Sequence, residues 1–347
     1  RSGRIHDQDI GTPMIRINAL GAGGGTIAWI GPDGLLKAGP QSAGASPGPA
    51  CYGLGGVEPT VTDANIVLGY LNPANFIGGR FRIDPALARK AIEERIARPL
   101  GLGVEEAALG IIKVVSVNME VGLRLSLVER GLEPQRFALM AFGGGGPVLG
   151  ARVVRALGIP RMIVPPYPGI TCAMGLLQTD VKHHYLQSRM GPLNSVPADE
   201  LNRLFAILEE RALKEAQREG FDGKSVELYR HLDLRYPFQG YELTIECASG
   251  PFTDEERAAV RKRFDRRHEE VYGTCAPDEM PEIVNVRVTS ICRVAKLNLP
   301  ELPRATQPAK PVGSRPVLFP EIGRYIDTPI YRRDTLGAGA TIDGPAI

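Results

Sequence analysis

Apolar positions along the chain change period several times, and the changes outline its elements. Ile15, Ile17 and Leu20 suggest a strand running into Gly21-Ala22-Gly23-Gly24-Gly25-Thr26. Residues 27–30 resume it, Gly31-Pro32-Asp33-Gly34 makes a turn, and Leu35-Leu36 starts the return. A stretch rich in glycine, serine and proline follows at 39–56. Thr60-Val61-Thr62-Asp63-Ala64-Asn65 then opens a short helix with Asp63 near its cap, and Asp84-Pro85 starts a second one, aspartate capping and proline at the first helical position. Residues 104–130 form the longest helix of this half, with so little polar face that it should be largely buried; Gly131 stops it.

The run 137–142 is apolar without alternation, as expected of a strand covered on both faces. It ends in Gly143-Gly144-Gly145-Gly146-Pro147 and passes into a helix at 148–157. Gly158-Ile159-Pro160 breaks that helix before a second buried strand at 161–164, a proline loop at 165–169 and a small-residue helix at 170–177. Strand, glycine loop, helix, strand, loop, helix is an α/β unit whose loops lie at the strand ends, where such folds bind ligands. The texture changes near 190–197, a junction rich in glycine and proline. An amphipathic helix is expected at 198–220, strands at 225–236 and 241–247, a helix capped by Thr253 with Glu256 in capping-box spacing, and strands at 282–294 and after Pro316. The chain stops at Pro345-Ala346-Ile347 in what reads as the middle of a strand, so a piece of a longer polypeptide is expected.

Composition narrows the classes. The 347 residues are 43% apolar, enough to fill a core, and 41 glycines with 29 prolines and no collagen period indicate a turn-rich globular protein. Charge nearly cancels at +2 and is well mixed. A wrapped nucleic acid or an anionic membrane would want a concentrated basic face. The polar N-terminus has no apolar signal core, and the longest charge-free stretch, 162–179, carries Pro165, Pro166 and Pro168, which argues against a spanning helix. Five scattered cysteines without a CxxC pair read as reduced thiols of a cytosolic protein.

Candidate chemistry lies in the loops. Gly143 to Gly146, between a strand and a helix N-terminus, offers bare backbone to a phosphate or nucleotide ring; one glycine would suffice for a packing turn. Gly21 to Thr26 reads GxGGGT and is either a β-turn or a second ligand contact. A P-loop is excluded, since Gly223-Lys224-Ser225 has Arg218 where the first glycine must stand. Asp63 is either a catalytic or cation-binding carboxylate or a helix cap, and Cys51 either a nucleophile or a small buried thiol. His183 and His184 are adjacent, so on regular structure they point apart and make a poor metal pair. Asn118 and Arg124 either reach a site or satisfy loop carbonyls.

These residues carry a resemblance. The stretch from Gly21 to Ile30, Gly39-Pro-Gln-Ser-Ala-Gly-Ala-Ser-Pro-Gly-Pro-Ala-Cys-Tyr-Gly, Thr60-Val-Thr-Asp-Ala-Asn, Arg130-Gly131 with Pro134, Ala141-Phe-Gly-Gly-Gly-Gly-Pro, and Ile159-Pro through the proline loop to Gly175-Leu-Leu resemble the hydantoinase A / 5-oxoprolinase family. Asp233-Leu-Arg-Tyr, Gln239-Gly-Tyr-Glu-Leu, His268 and Tyr272-Gly resemble its C-terminal domain. The resemblance implies an α/β fold: part of an actin/sugar-kinase-like ATPase domain at 1–192, followed by a smaller α+β domain at 193–347. It further implies ATP and Mg2+ as cofactors and hydrolysis of a cyclic amide of the hydantoin or 5-oxoproline type. The alternatives are the ATP-using subunit of an acetone or acetophenone carboxylase, and a non-catalytic scaffold. Expected partners are a hydantoinase B-like subunit, a further copy of the chain, and a small cyclic amide or ketone. Gly23, Gly24, Gly25, Thr26, Gly143, Gly144, Gly145, Gly146 and Pro147 would bind nucleotide, and Asp63 would be catalytic. The family's aspartate–glycine–glycine–threonine and glycine–threonine–aspartate phosphate motifs do not occur in these residues. This stretch alone should therefore bind ATP weakly, hydrolyse none, and expose core surface on helix 104–130.

Overall fold

A computed structural model describes the backbone of residues 2–5, 8–13 and 17–347, with side chains from residue 17 onward. Two compact units emerge, Arg1–Thr171 with Pro300–Ile347, and Cys172–Leu299.

The first unit opens with two antiparallel pairs, β1 (Ser2–Ile5) with β2 (Gln8–Pro13), and β3 (Thr26–Ile30) with β4 (Leu36–Ser42). Of the strand expected before the first glycine loop, Ile15 lies outside the described residues, while Ile17 and Leu20 are exposed and outside any strand. Helices α1 (Val61–Val67) and α2 (Pro85–Ile92) form where expected; the N-cap of α1 is Thr60, with Asp63 three residues on completing its capping box, and the Asp84 carboxylate caps α2, accepting from the Ala86 amide at 2.8 Å. A short π-helical turn leads through α3 (Arg98–Leu100) into α4 (Val104–Val128). Val61, Ala64, Leu68, Ile92, Ile96, Ile111, Ile112 and Val115 close the core between them.

Helix α4 departs from expectation. Only its first half is buried; Val117, Val121, Leu125 and Val128 are exposed. The same holds for β5 (Ala138–Met140), which is linked through α5 (Gly146–Leu157) to β6 (Arg161–Ile163). These two strands pair parallel with each other alone, and Phe137, Met140, Phe142 and Ile163 are exposed. Parallel sheets normally lie under cover on both faces. The apolar sequence is that of covered elements; Leu139 packs against Val153, Leu157 and Ile159 on one side, whereas Phe137, Met140, Phe142 and Ile163 have no cover among the described residues. The proline loop leads into α6 (Thr171–Leu177), where the division between units falls.

The second unit is a four-stranded antiparallel sheet with two helices: β7 (Val181–Pro192), α7 (Ala198–Arg218), β8 (Val226–Arg235), β9 (Leu243–Glu246), α8 (Asp254–Tyr272) and β10 (Glu282–Cys292), in strand order β7-β10-β8-β9. Phe205 and Leu201 of α7, Phe264 and Val260 of α8, and Leu232, Leu234, Val286 and Val288 of the sheet form its core. Strand β7 was not foreseen. Tyr185 is its one buried residue, so an edge strand carries no apolar alternation to read. Thr253 caps α8 as expected, but Glu256 completes no capping box: its carboxylate accepts from the Ala248 amide instead.

At the start of β7, Asp180 accepts from Lys296 Nζ at 2.5 Å, the Val294 amide at 3.1 Å and Arg293 Nη1 at 2.7 Å. These donors, Lys296 foremost, hold its carboxyl down at about 2. A depressed carboxyl contributes stability that is complete above its ordinary value near 3.8 and lost as pH falls from there toward 2. Thermal melts should therefore show an acid loss between about pH 4 and pH 2 that Asp180→Asn reduces; an identical acid profile for the two proteins would refute the assignment.

The tail does not stay with this sheet. Strands β11 (Gly313–Phe319) and β12 (Arg324–Ile330) form a hairpin belonging to the first unit. The Leu318 amide donates to Leu68 O at 3.0 Å, Tyr70 Oη to Leu318 O at 2.7 Å, and Arg315 to the Gly69 and Tyr70 carbonyls at 2.8 and 2.9 Å. The sequence division at 192/193 thus differs from the division by packing, because the tail returns to clamp the end of α1. Among the described residues no helix is long and apolar enough to cross a membrane.

Candidate functional site

Both glycine loops meet. A Cβ placed on Gly145 would lie 3.6 Å from the Gly24 amide nitrogen, so residues 121 positions apart in sequence share one wall of backbone. The first loop is braced from within: the Gly23 amide donates to Thr26 Oγ1 at 2.8 Å, and that hydroxyl donates to Gly21 O at 3.1 Å. It is braced from outside by the first turn of α1, where Thr62 donates to Gly24 O through both its amide and its hydroxyl at 2.9 Å, and by the Ala43 amide on Gly25 O at 2.8 Å. Side chains would not fit: a Cβ on Gly24 would approach Thr62 Oγ1 to 2.9 Å, and one on Gly25 would approach Ser42 Oγ to 2.9 Å.

The second loop hangs between β5 and α5. The Ala141 amide donates to Ile163 O at 2.8 Å and the Gly143 amide to Pro168 O at 2.7 Å, so the proline loop pins the glycine loop. Gly143 has φ +80°, a conformation that favours glycine. Gly150 is a packing glycine, since a Cβ there would reach Met162 Sδ at 2.7 Å. Gly143 and Gly144 are different: a Cβ on either would meet nothing within 4 Å, and the same is true of Gly23. Helix α5 has Pro147 in its first turn and no acidic residue there, so its free amides and dipole favour an anion. The result is an open cradle of bare backbone at a helix N-terminus. It leaves open space at the Cβ positions of Gly23, Gly143 and Gly144.

Asp63 does not face this cradle. It is fully buried, and its carboxylate accepts from the Ala50, Cys51 and Thr60 amides at 3.2, 2.8 and 2.8 Å and from Thr60 Oγ1 at 2.7 Å. With four donors on two oxygens it ties the loop at 50–51 to the capping box of α1. Its geometry is that of a structural hub, and the catalytic reading is set aside. Cys51 is buried beside it; burial and then the Asp63 charge push the thiol far above its ordinary value, which leaves it inert as a nucleophile. All five cysteines are free.

Asn118 satisfies a loop carbonyl, donating to Ala38 O at 3.2 Å beside a cavity of about 410 Å³ lined by Trp29, Leu36, Pro40 and Val114. Arg124 pairs with Glu120 on the helix surface. His183 and His184 do point apart, to Glu219 and Thr289, each at 3.0 Å. No group of three or more His, Cys, Asp or Glu gathers among the described residues. The loops thus offer a ligand bare backbone at Gly23, Gly143 and Gly144, with no such side-chain cluster beside them among the described residues. Sequence reasoning missed Thr62 and Ser42. A threonine two positions after an N-cap was the available signal for the first, and none marked the second.

The family model described as Hydantoinase/oxoprolinase matches residues 3–185, and that of the Hydantoinase/oxoprolinase C-terminal domain matches 194–347. The chain is 38% identical to caprolactamase subunit alpha of Pseudomonas jessenii, over 97% of this chain and 49% of that protein. It is 36% identical to the acetophenone carboxylase gamma subunit of Aromatoleum aromaticum, over 97% of this chain and 48% of that one. Among solved structures it superimposes on nucleotide-free acetone carboxylase, described under ATP-dependent acetone carboxylation, with a TM-score of 0.92 at 26% identity, covering 99% of this chain and 50% of that one. The chain spans about half the length of each of these relatives.

Proposed function

We infer the function of this chain from a plain premise: it belongs to the hydantoinase/oxoprolinase family. We propose that the intact protein is a subunit of an ATP-dependent enzyme that opens a cyclic amide of the hydantoin or 5-oxoproline type. Residues 1–192 would carry part of its nucleotide site, and 193–347 the family's C-terminal module. The observation that carries this reading is the meeting of Gly24 with Gly145 in an open backbone cradle at the N-terminus of α5.

When bound, ATP would supply a phosphoryl group to the amide oxygen, converting a poor electrophile into a reactive ester. Catalysis of that kind is mostly positioning and electrostatics. The chain's contribution is positional. Gly143 to Pro147 offer a surface to the adenosine, Gly23 to Thr26 form the adjoining wall, and Thr62 and the proline loop fix both.

A hydantoinase B-like subunit is the proposed partner, in keeping with relatives that are themselves named as subunits. A carboxylase subunit is the second reading, favoured by the TM-score of 0.92 with acetone carboxylase. Release of ADP by the full-length protein with its partner subunit separates them. Hydantoins, 5-oxoproline or caprolactam should stimulate release at least about tenfold, which is 1.4 kcal/mol in the barrier. Stimulation only by ketones with bicarbonate would establish the second reading. Neither response, with no ATP binding, would leave a scaffold.

A further inference from the structure

A second cavity, of about 460 Å³, lies on the first unit between helices α4 and α5 and the turn that joins β11 to β12. It is a different place from the glycine cradle. Its α5 residues are Arg152, Arg155 and Ala156, more than a turn beyond Pro147. Its size is that of a small-molecule pocket, and Leu109, Val117, Ala156 and Pro320 give it an apolar wall.

Charge around this cavity does not balance. Its lining holds the cations Lys113, Arg152 and Arg155 and the carboxylates Glu120 and Glu321. Both carboxylates are already engaged: Glu321 accepts from Arg155 at 2.9 Å, and Glu120 accepts at 2.9 Å from Arg124, which is outside the lining. Lys113 and Arg152 are left without an ion pair among the described residues. Arg152 is the more telling, because it is half-buried. Its guanidinium lies 5.3 Å from the centre of the Tyr70 ring and donates from Nη2 to Tyr70 Oη. That hydroxyl donates in turn to Leu318 O at 2.7 Å, so it orients Arg152 but does not neutralise it. The other N–H groups of the guanidinium have no acceptor among the described residues. Partial burial of a cation is ordinarily offset by a carboxylate beside it. Here the guanidinium is fixed and its charge is unmatched.

We propose that this cavity binds a small anion carried on an apolar body, with its carboxylate or phosphate on Arg152 and Lys113 and its hydrocarbon against Leu109, Val117 and Pro320. An arginine fork suits either head group, and an apolar wall rewards a hydrocarbon that a bare inorganic ion lacks. The site stands apart from the nucleotide reading, since none of its residues belongs to the glycine loops.

Isothermal titration of the full-length protein with octanoate and with octyl phosphate tests this, beside octanol and octyltrimethylammonium as neutral and cationic controls. At least one of the two anions should bind with a Kd below about 1 mM. Whichever binds more tightly fixes the head group, and either result supports the site. From butyrate to octanoate, affinity should rise about three- to fourfold for each methylene buried. Arg152→Gln should weaken binding about tenfold or more, the loss expected when a charged donor is removed. Lys113→Gln alters an exposed side chain without an ion pair, so it should weaken binding several-fold at an unchanged melting temperature; the pair of variants therefore separates lost binding from lost folding. Excess ATP should leave the titration unchanged. Failure of both anions to bind would overturn the proposal, as would equal binding of octanol or octyltrimethylammonium. So would octanoate affinity that survives both substitutions, or displacement of octanoate by ATP, which would put the anion in the glycine cradle instead.

Discussion

Replacing Asp63 by alanine should destabilise the first unit by at least about 3 kcal/mol, because three buried amides lose their acceptor and each orphaned donor costs about 1–3 kcal/mol. Those amides belong to Ala50, Cys51 and Thr60, and Thr60 also loses the partner of its hydroxyl. Asp63→Asn should rescue only in part, since its carbonyl oxygen can serve the donors on Oδ2 while its NH2 group faces the Cys51 amide as donor to donor. Urea unfolding of the two variants measures this directly. A catalytic role for Asp63 predicts the reverse, an unchanged unfolding midpoint with lost turnover, and that result would restore the reading set aside above.

The second large effect is expected at Gly144. Its Cβ position is open and its backbone is not in the left-handed region, so Gly144→Leu should leave the unfolding midpoint of the full-length protein unchanged. The new side chain would fill the cradle, and ATP binding and turnover should fall at least about a hundredfold, 2.7 kcal/mol or more. The neighbouring glycines are controls with different signatures. Gly143→Ala strains a positive φ, and Gly150→Ala drives a methyl toward Met162 Sδ, so both should lose stability. A Gly144→Leu protein that binds ATP normally would place the nucleotide elsewhere.

Much of this was legible in the chain because local chemistry decided it. Asp84 starts its helix where its cap predicts, the helix at Thr60 begins where the pattern opens it, and Gly143 to Gly146 stand between a strand and a helix as the pattern required. The meeting of the two glycine loops was not legible. It depends on Thr62 reaching Gly24 and on Pro168 accepting from Gly143, contacts between segments that no local period connects. Asp63 shows the limit from the other side. The sequence allowed cap or catalyst, and only the positions of Ala50 and Cys51, brought over by the loop, exhaust its oxygens. For α4 and β5 the apolar pattern correctly reported elements written for burial, but Val121, Leu125 and Met140 have no cover among the described residues. Strand β7 and the return of the tail to α1 escaped for a common reason: an edge strand and a clamping hairpin are held by backbone pairing and a few side-chain bonds, and neither needs an apolar stripe.

Photolabelling of the full-length protein with 8-azido-ATP, followed by peptide mapping, addresses the paired glycine loops most directly. Label should fall on peptides containing residues 21–26 and 139–150, and excess ATP should suppress it. Label confined to peptides from residues 172–299, or undiminished by ATP, would contradict a nucleotide cradle built from Gly24 and Gly145.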